Sequence, residues 1–416
     1  YSSLSASVNF ATSSYERNNL NSMYNPQTLT QSTRTSSVSW STGFSSIGLS
    51  LSATTNLAQN MRDSSIQITL PDLNISLSRF YPFKRKHLVG KERWYEKISM
   101  SYTGQLSNSI STKEDRLLHS NLIKDWKNAF QHTIPVQANF TLFNYINVTA
   151  SFNFTDRMYS KKVMRGWDNT LQKEVVRDTT YGFHNVYNWS MSVGASTKRY
   201  GLWIPNRKLF GDKIQAIRHV ITPQVTFFYS PNFGARRYGY YDSYQYTDAS
   251  GNVKLVEYSP YQDELYSVPG KYKTEMISWD VSNNIEMKIK SDKDTTGYKK
   301  ISIIDELGAS MSYNAAADYH RWSDLSMRLR LKWWKNYTFS MNAQFATYAY
   351  ELDANGKPYV GNHTEWGYGR LPRFQGMSQN FSFTLNPEKL KKWFGRKDDK
   401  DDDKVSVDSD GPDTNI

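Results

Sequence analysis

The segment NVTASFNFT, residues 147–155, alternates polar and apolar side chains without a break. Because strand side chains point to opposite faces in turn, its four apolar residues fall on one face and its polar residues on the other. A period of two at this purity predicts a β-strand with one apolar side and one polar side. The same pattern recurs at 187–195 and 337–345.

Strands with this pattern are expected along most of the chain. They lie at 3–14, 34–43, 46–58, 64–80, 94–110, 128–142, 146–157, 179–197, 215–230, 277–290, 300–315, 322–334, 337–351 and 375–386. Most reach the roughly 9–11 residues that a tilted strand needs to cross a bilayer, whereas strands of soluble proteins average about 5–6 residues. The length favours an all-β, antiparallel transmembrane β-barrel with about 14 strands in this chain.

Composition agrees with a membrane barrel. Of the 416 residues, 15% are aromatic but only 38% are hydrophobic, and the mean hydropathy is −0.67. A barrel combines an apolar lipid face and aromatic girdles with a polar lumen. A membrane helix bundle is excluded, since no run of about 18 apolar residues occurs. With no cysteine, the chain has no disulfide or thiolate site.

Loop lengths mostly alternate, as in outer-membrane barrels with short periplasmic turns and long outer loops. Turns near 44–45, 143–145 and 335–336 are short, whereas connections such as 158–178 and 231–276 are long. The parity holds only if 64–80 is one strand running through Pro71. Because proline removes a ladder donor, we expect a bulge or weak pairing there, and Pro135 and Pro223 are further bulge candidates.

The domain prediction is a barrel segment over 1–386, followed by a charged tail or loop over 387–416 that we expect to be disordered. Tyr1 begins directly in a strand pattern. We therefore expect either a removed export signal or an internal portion of a longer chain, and favour the latter.

No catalytic, cofactor or metal site is predicted. The seven histidines are scattered without metal-ligand spacing, and no phosphate-binding loop occurs. The net charge of +12 comes partly from basic clusters in connections, such as 84–86 and 207–208. Nucleic acid could bind such clusters, but basic residues beside Trp and Tyr more often contact anionic head groups at a membrane interface. We therefore expect outer-membrane lipids and no nucleic acid as partners.

Three stretches are more specific than the alternation: TLPDLNISL (69–77) followed by RFYPF (79–83), STKRYG (196–201), and IRHVITP (217–223) continuing to FYSP (228–231). Together they resemble the lipopolysaccharide-assembly outer-membrane proteins of the LptD, or organic-solvent-tolerance, family, in a Bacteroidetes-like form. The resemblance covers about 60–386 and the barrel portion only. It marks as structural signature candidates Pro71, Tyr200, Gly201, Arg218, His219 and Pro223.

The resemblance implies a non-enzymatic function. Proteins of this family receive lipopolysaccharide from a periplasmic bridge protein and release it into the outer leaflet through a lateral opening of the barrel. A plug lipoprotein, LptE-like, fills the lumen. The family barrel exceeds fourteen strands, so this chain is expected to form part of a larger barrel in the outer membrane. For Arg218 and His219, a plain structural pair in the lumen or at the interface is the alternative.

Three other functions stay open from the residues alone. A porin or receptor-type importer would share the strand pattern, as would an extracellular β-rich adhesin that needs no membrane. A barrel hydrolase acting on lipids would need a cluster of His and acid at the rim, and sequence spacing reveals none.

Overall fold

A computed structural model describes residues 1–10, 33–61, 63–87, 89–206, 208, 211–248, 250–291, 297–333 and 337–383. Within that part of the chain the structure is all-β and antiparallel. No helix there is long and apolar enough to cross a membrane.

One large sheet of fifteen strands dominates the structure. Its strands are β1 (Ser2–Ser7), β2 (Thr33–Phe44), β3 (Leu49–Asn60), β4 (Ser65–Phe80), β5 (Ile98–Lys113), β6 (Lys127–Leu142), β7 (Ile146–Asp168), β8 (Lys173–Thr197), β9 (Arg199–Trp203), β10 (Ile214–Ser230), β13 (Thr274–Lys290), β14 (Tyr298–Asn314), β15 (Leu325–Trp333), β16 (Tyr337–Ala346) and β19 (Arg373–Phe383). Two separate hairpins pair β11 (Asp242–Thr247) with β12 (Val253–Tyr258), and β17 (Tyr348–Leu352) with β18 (Pro358–Thr364).

Neighbours in the sheet follow chain order, so the sheet is a meander. Fourteen strands lie on one path from β1 to β19, and β9 pairs with β10 beside the end of β8. Among the described residues β1 pairs only with β2, and β19 only with β16, so the sheet is open. The all-β fold and the number of strands agree with the sequence prediction.

The residues 158–178 were predicted to form a long loop, and that prediction is wrong. β7 continues to Asp168 and β8 begins at Lys173, so only a four-residue turn joins them. Charged side chains hide the alternation in this part of the sequence. The two strands nevertheless pair with each other beyond the ends of the neighbouring strands β6 and β10, up to Asp168 opposite Lys173.

The predicted strand 337–351 is also wrong, because it contains two strands in different sheets. β16 ends at Ala346 and β17 starts at Tyr348. Between them the buried Thr347 turns the chain: its Oγ1 donates to Ser323 O at 2.6 Å, and its amide donates to Asp324 Oδ1 at 3.1 Å. Local hydrogen bonding ends the ladder here, although the sequence keeps alternating.

Smaller corrections concern strand ends. β1 covers Ser2–Ser7 of the predicted 3–14, of which 11–14 lie outside the described residues. β15 begins at Leu325, three residues later than predicted, and residues 334 and 384–386 lie outside the described part. The predicted tail 387–416 also lies outside it. Four short strands, β9, β11, β12 and β18, fall in segments that were predicted to be connections.

The length of the apolar stripe matches a bilayer. On β13 one face carries apolar residues from Ile277 to Ile289, with Asn283 as the exception. Thirteen residues extend about 40 Å, and a tilt of about 45° reduces this to about 28 Å along the membrane normal. The apolar band of outer-membrane barrels is about 25 Å tall.

Candidate functional site

The polar face of the sheet begins with uncharged hydroxyls. On β1 and β2, Ser3 faces Ser41 and Ser5 faces Ser39, with both Oγ–Oγ distances 2.7 Å. On β7 and β8, Ser151 and Ser192 also lie opposite each other, and their Oγ atoms are 2.7 Å apart. Such cross-strand hydroxyl pairs stabilise the sheet and leave a wettable, neutral surface.

Further along, the same face becomes charged. The Arg328 guanidinium donates to Asp280 Oδ2 at 2.8 Å and to Glu306 Oε1 at 3.2 Å, so one cation on β15 joins acids on β13 and β14. Arg330 pairs with Asp305 at 2.6 Å. A register shift of the β13–β14 ladder lies next to Asp305 and Glu306, between the Asn283–Leu307 and Ile285–Ile304 pairs. Irregularities of this kind re-aim side chains.

A groove of about 500 Å³ lies beside the Arg328 network, and Asp280 is part of its lining. Its lining is mostly hydroxyl, amide and carboxylate groups from β10, β13, β14, β15 and β16. They include Gln224, Thr226, Ser278, Asp280, Ser310, Ser312, Ser326 and Gln344. The groups both donate and accept hydrogen bonds, as the hydroxyls of a sugar also do.

A fold-back loop, residues 231–273 with residue 249 undescribed, covers the part of the sheet where neighbouring strands have ended. β8 extends beyond β10, and its Tyr187 amide donates to Tyr240 Oη at 2.9 Å. β7 extends beyond β6, and its Val163 amide donates to Pro260 O at 3.0 Å. The loop thereby satisfies backbone groups at two otherwise open strand edges.

The loop also crosses the polar face. Tyr159 on β7 donates from its hydroxyl to Tyr266 O at 3.0 Å, and Tyr266 donates to Gln105 O on β5 at 2.8 Å. Five strand spacings, about 24 Å along the sheet, separate β5 from β13, where the loop ends. The eight residues from Tyr266 to the start of β13 span at most about 28 Å. The loop is therefore long enough to cross the polar face from β5 to β13. Because the polar face of a barrel lines its lumen, the polar face is called the concave face below and the apolar face the convex face.

Aromatic side chains form the core of the loop. Tyr159, Val186, Phe233, Tyr240 and Tyr261 are all buried in one cluster, and the Tyr159 and Tyr261 rings stack at 5.2 Å. Burial raises the pKa of Tyr240 to about 12 and that of Tyr266 to about 12. Both phenols stay protonated at neutral pH, so Tyr266 keeps the proton that it donates to Gln105 O, whereas Tyr240 accepts from the Tyr187 amide.

Two neighbouring acids of the fold-back loop, Asp263 and Glu264, differ in their surroundings. Burial raises the pKa of Glu264, an effect that Lys161 and Lys127 oppose. Its Oε2 is buried without a hydrogen-bond partner. The neighbouring Asp263 is instead paired with Arg165 and accepts a bond at its carbonyl from Lys127. The loop is therefore held to β6 and β7 by charge as well as by aromatic packing.

The convex face carries aromatic residues toward the end of the long loops. Trp279 and Tyr313 lie on the apolar face of β13 and β14. The Trp322 ring stacks on Trp279 at 5.6 Å and lies 4.9 Å from Tyr313, and Trp366 meets Trp322 edge-on at 5.7 Å. An aromatic group at this height is typical of the interface girdle of a membrane barrel.

A polar pair on the same apolar face was missed from the sequence. His132 on β6 lies directly opposite Asp156 on β7, and Tyr102 Oη lies 2.8 Å from His132 Nδ1. His132 Nε2 and Asp156 Oδ1 are buried without partners. The arrangement resembles the His–acid cluster that a lipid hydrolase would require, but its free atoms are enclosed instead of facing a substrate. Hairpin symmetry could have found the pair, since both residues lie twelve positions from Asn144 in the β6–β7 turn.

Pro71 lies inside β4, which runs through it as one strand. The β3–β4 ladder shifts register between the Thr54–Asp72 and Asn56–Thr69 pairs, and the β4–β5 ladder shifts at the same place. The missing proline amide accounts for this irregularity. Pro135 lies where the β5–β6 ladder skips two pairs, between Met100–Val136 and Thr103–Thr133.

Pro223 lies where β8 gives way to β9. β10 pairs with β9 up to Ile221 and with β8 from Gln224, whereas its ladder with β13 continues through Pro223 without a shift. Continuing either register places Pro223 opposite Thr197, the last residue of β8, beside the break at Lys198.

Arg218 and His219 are neighbours in sequence but lie on opposite faces of β10. Arg218 lies on the polar face and pairs with Glu286 at 2.5 Å, whereas His219 Nε2 lies 3.0 Å from Asn283 Oδ1 on the apolar face. Tyr200 and Gly201 lie on β9, opposite Val220 and His219. The fold brings these four residues together on β9 and β10. Pro223 lies further along β10, and Pro71 lies on β4. Within the described residues no cluster of three or more potential metal ligands occurs.

The structure thus defines a class: an all-β, barrel-like protein with a polar concave face, an apolar convex face and an aromatic interface band. The family model described as LptD protein matches residues 1–348. The chain therefore belongs to the LptD family, whose members are outer-membrane proteins of lipopolysaccharide transport. No curated protein matches the chain significantly.

Two solved structures are similar at a low level. One is the siderophore receptor PiuA from Acinetobacter baumannii, with 9% identity and a TM-score of 0.23 over 85% of this chain and 52% of that chain. The other is a double mutant of the hemophore receptor HasR from Serratia marcescens, in complex with its hemophore HasA and heme, with 7% identity and a TM-score of 0.22 over 84% of this chain and 65% of that chain. The chain spans about half the length of the first receptor.

Proposed function

We propose that this chain is the barrel portion of an outer-membrane translocon that inserts lipopolysaccharide into the outer leaflet without catalysing a reaction. The match to the LptD family over residues 1–348 carries the proposal. The two faces of the sheet support it, because an amphipathic lipid needs polar surroundings for its sugars and hydrocarbon for its acyl chains.

The polar groove on β10 and β13–β16 is the proposed path of the saccharide part. It offers hydroxyl and amide groups beside the carboxylates of Asp280 and Asp324. Asp280 is paired with Arg328, and Asp324 accepts from the Thr347 amide, so a sugar can exchange hydrogen bonds there without leaving either carboxylate unpartnered. The acyl chains would leave through a lateral opening between strands of the complete barrel, as the family resemblance implies.

The fold-back loop is the proposed cover of the lumen on the β5–β8 side. It already occupies the polar face at Tyr159 and Val186. A plug lipoprotein of the LptE type would then occupy part of the lumen that the loop leaves open, and a periplasmic bridge protein would deliver lipid at the end with the short turns. Both partners follow from the family and from the part of the face that the loop leaves open.

Depletion of the parent protein tests the proposed function. Surface lipopolysaccharide should fall within a few generations, measured by surface labelling, while porin levels in the same membranes persist. Porin abundance is the control, because a general failure of barrel assembly lowers both. Unchanged surface lipopolysaccharide after depletion refutes the proposal.

A further inference from the structure

A cleft of about 470 Å³ lies on the rim of the sheet, at the end of the long loops. It is formed by the β14–β15 connection and by the β17–β18 hairpin with the turn that follows. Aromatic residues line part of it, among them Tyr313, Trp322 and Tyr368, and polar residues line the rest, among them Asp318, Arg321, Asn362 and His363.

The cleft opens toward the apolar side of the sheet. Tyr313 lies on the apolar face of β14, opposite Ile277, and it also forms an isolated bridge with Trp322. The Trp322 ring stacks on Trp279, which lies on that same face. Since the sequence places the long loops outside, the cleft lies beside the head groups of the outer leaflet and not inside the lumen.

The walls of the cleft are fixed by their own hydrogen bonds. The Trp322 amide donates to Tyr348 Oη at 2.8 Å, and the His320 amide donates to Asn362 Oδ1 at 3.1 Å. His320 Nε2 lies 2.8 Å from Gly361 O. These contacts join the two loops, so the cleft exists before any ligand binds and little ordering cost remains.

Part of its polar lining stays accessible. The Arg321 guanidinium donates to Ala317 O and to Tyr313 Oη, and within the described part of the chain it forms no ion pair. The His363 side chain is 72% exposed, although its Nδ1 lies 2.6 Å from Glu351 Oε1, and Tyr368 is 54% exposed. Asp318 adds a carboxylate acceptor. An exposed aromatic ring beside both donors and acceptors is suited to a pyranose, whose C–H face packs on a ring while its hydroxyls hydrogen-bond at the edge.

We propose that this cleft binds the saccharide head group of a glycolipid in the outer leaflet. Its height at the aromatic band favours a lipid-anchored sugar over a free one, because the acyl chains would lie along the apolar strip below Trp279 and Tyr313. The proposal rests on the outward orientation of the long loops and deepens the proposed function: newly delivered glycolipid would meet this site after leaving the barrel.

Binding is tested with the full parent protein in nanodiscs of phosphatidylethanolamine that contain rough lipopolysaccharide, with bound glycolipid counted by native mass spectrometry. Arg321→Gln should weaken binding about tenfold, since a charge-assisted hydrogen bond is lost. Tyr368→Ala should weaken it about fivefold. Tyr319→Ala is the matched control, because Tyr319 is 75% exposed in the same loop but does not line the cleft, and it should bind as the wild type does.

A second arm uses the water-soluble oligosaccharide obtained by removing the acyl chains. Weak binding of this probe, with the same sensitivity to Arg321→Gln, supports recognition of the sugar with the acyl chains adding affinity. Equal binding of intact lipid by the wild type, Arg321→Gln and Tyr368→Ala overturns the proposal. Binding here is independent of transport, so loss of this site with normal surface lipopolysaccharide, or the reverse, separates the two proposals.

Discussion

The contact between Tyr240 and the free edge of β8 gives the sharpest prediction about the fold-back loop. The Tyr187 amide donates to Tyr240 Oη at 2.9 Å, and Tyr240 is buried. Tyr240→Phe keeps the ring, which packs near Tyr187 and Tyr238, but removes the hydroxyl oxygen that accepts from this amide. The substitution therefore isolates one hydrogen bond.

The expected cost is that of losing one hydrogen bond to an edge amide, about 0.5–1.5 kcal/mol. A value of about 1.5 kcal/mol would raise the population of the locally open state by about tenfold. Amide hydrogen exchange at Tyr187 should accelerate by the same factor, because exchange of such an edge amide follows local opening. Peptides that cover the β1–β2 ladder should keep their exchange rates.

Tyr272→Phe is the matched control, since Tyr272 lies in the same loop and is 75% exposed. It should leave exchange at Tyr187 unchanged. If Tyr240→Phe also leaves that amide unchanged, the loop does not protect the edge of β8, and its role as a cover of the lumen loses its main support.

Three further predictions concern other parts of the sheet and its turns. Gly104→Ala should destabilise the folded barrel by about 1–3 kcal/mol, because a Cβ there would lie 2.6 Å from Tyr102 Oη. Gly43→Ala is the control and should have little effect, since a Cβ there meets nothing within 4 Å. The urea midpoint of heat-modifiable gel mobility measures both. Thr347→Val should cost about 1–2 kcal/mol by leaving a buried carbonyl unpaired, seen as faster exchange at the start of β17; unchanged exchange would contradict this. Hydrogen bonds from Arg85 and from a backbone amide lower the pKa of Glu96 to about 2. The stability that Glu96 gives the 81–97 turn is therefore present above the unfolded pKa of about 4.3 and is lost as pH falls toward 2. Limited proteolysis should show an intact turn at pH 5 and cleavage near pH 2, and a turn cleaved equally at both values would refute the assignment.

Strict alternation was sufficient to predict fourteen of the fifteen strands of the large sheet, all but β9, because a strand buried on one side must repeat every two residues. The alternation of short and long connections placed Pro71 within β4, because it requires 64–80 to be one strand. Alternation does not report which strands outgrow their neighbours. The long β7–β8 hairpin is stabilised by contacts with the fold-back loop, such as Trp167 with Tyr246 at 4.4 Å, and these join residues far apart in sequence.

The candidate sites were harder to predict for the same reason. His132 and Asp156 meet only through hairpin register, and the rim cleft joins two loops about forty residues apart. Charge on the polar face was visible as scattered residues, but the Arg328 network depends on three strands lying side by side. Family resemblance marked Arg218 and His219 as signature candidates, and only the fold shows that they lie on opposite faces of β10.

The central claim is that hydrocarbon contacts the convex face and water or sugar contacts the concave face. Spin labels at Phe152 and Trp189, on the apolar face, and at Ser151 and Ser192, on the polar face, test it in reconstituted membranes. Oxygen, which partitions into lipid, should relax the first two labels more strongly, and a water-soluble nickel chelate should relax the serine positions. Strong relaxation of Phe152 and Trp189 by the nickel chelate, with little effect of oxygen, would contradict the membrane assignment and every function drawn from it.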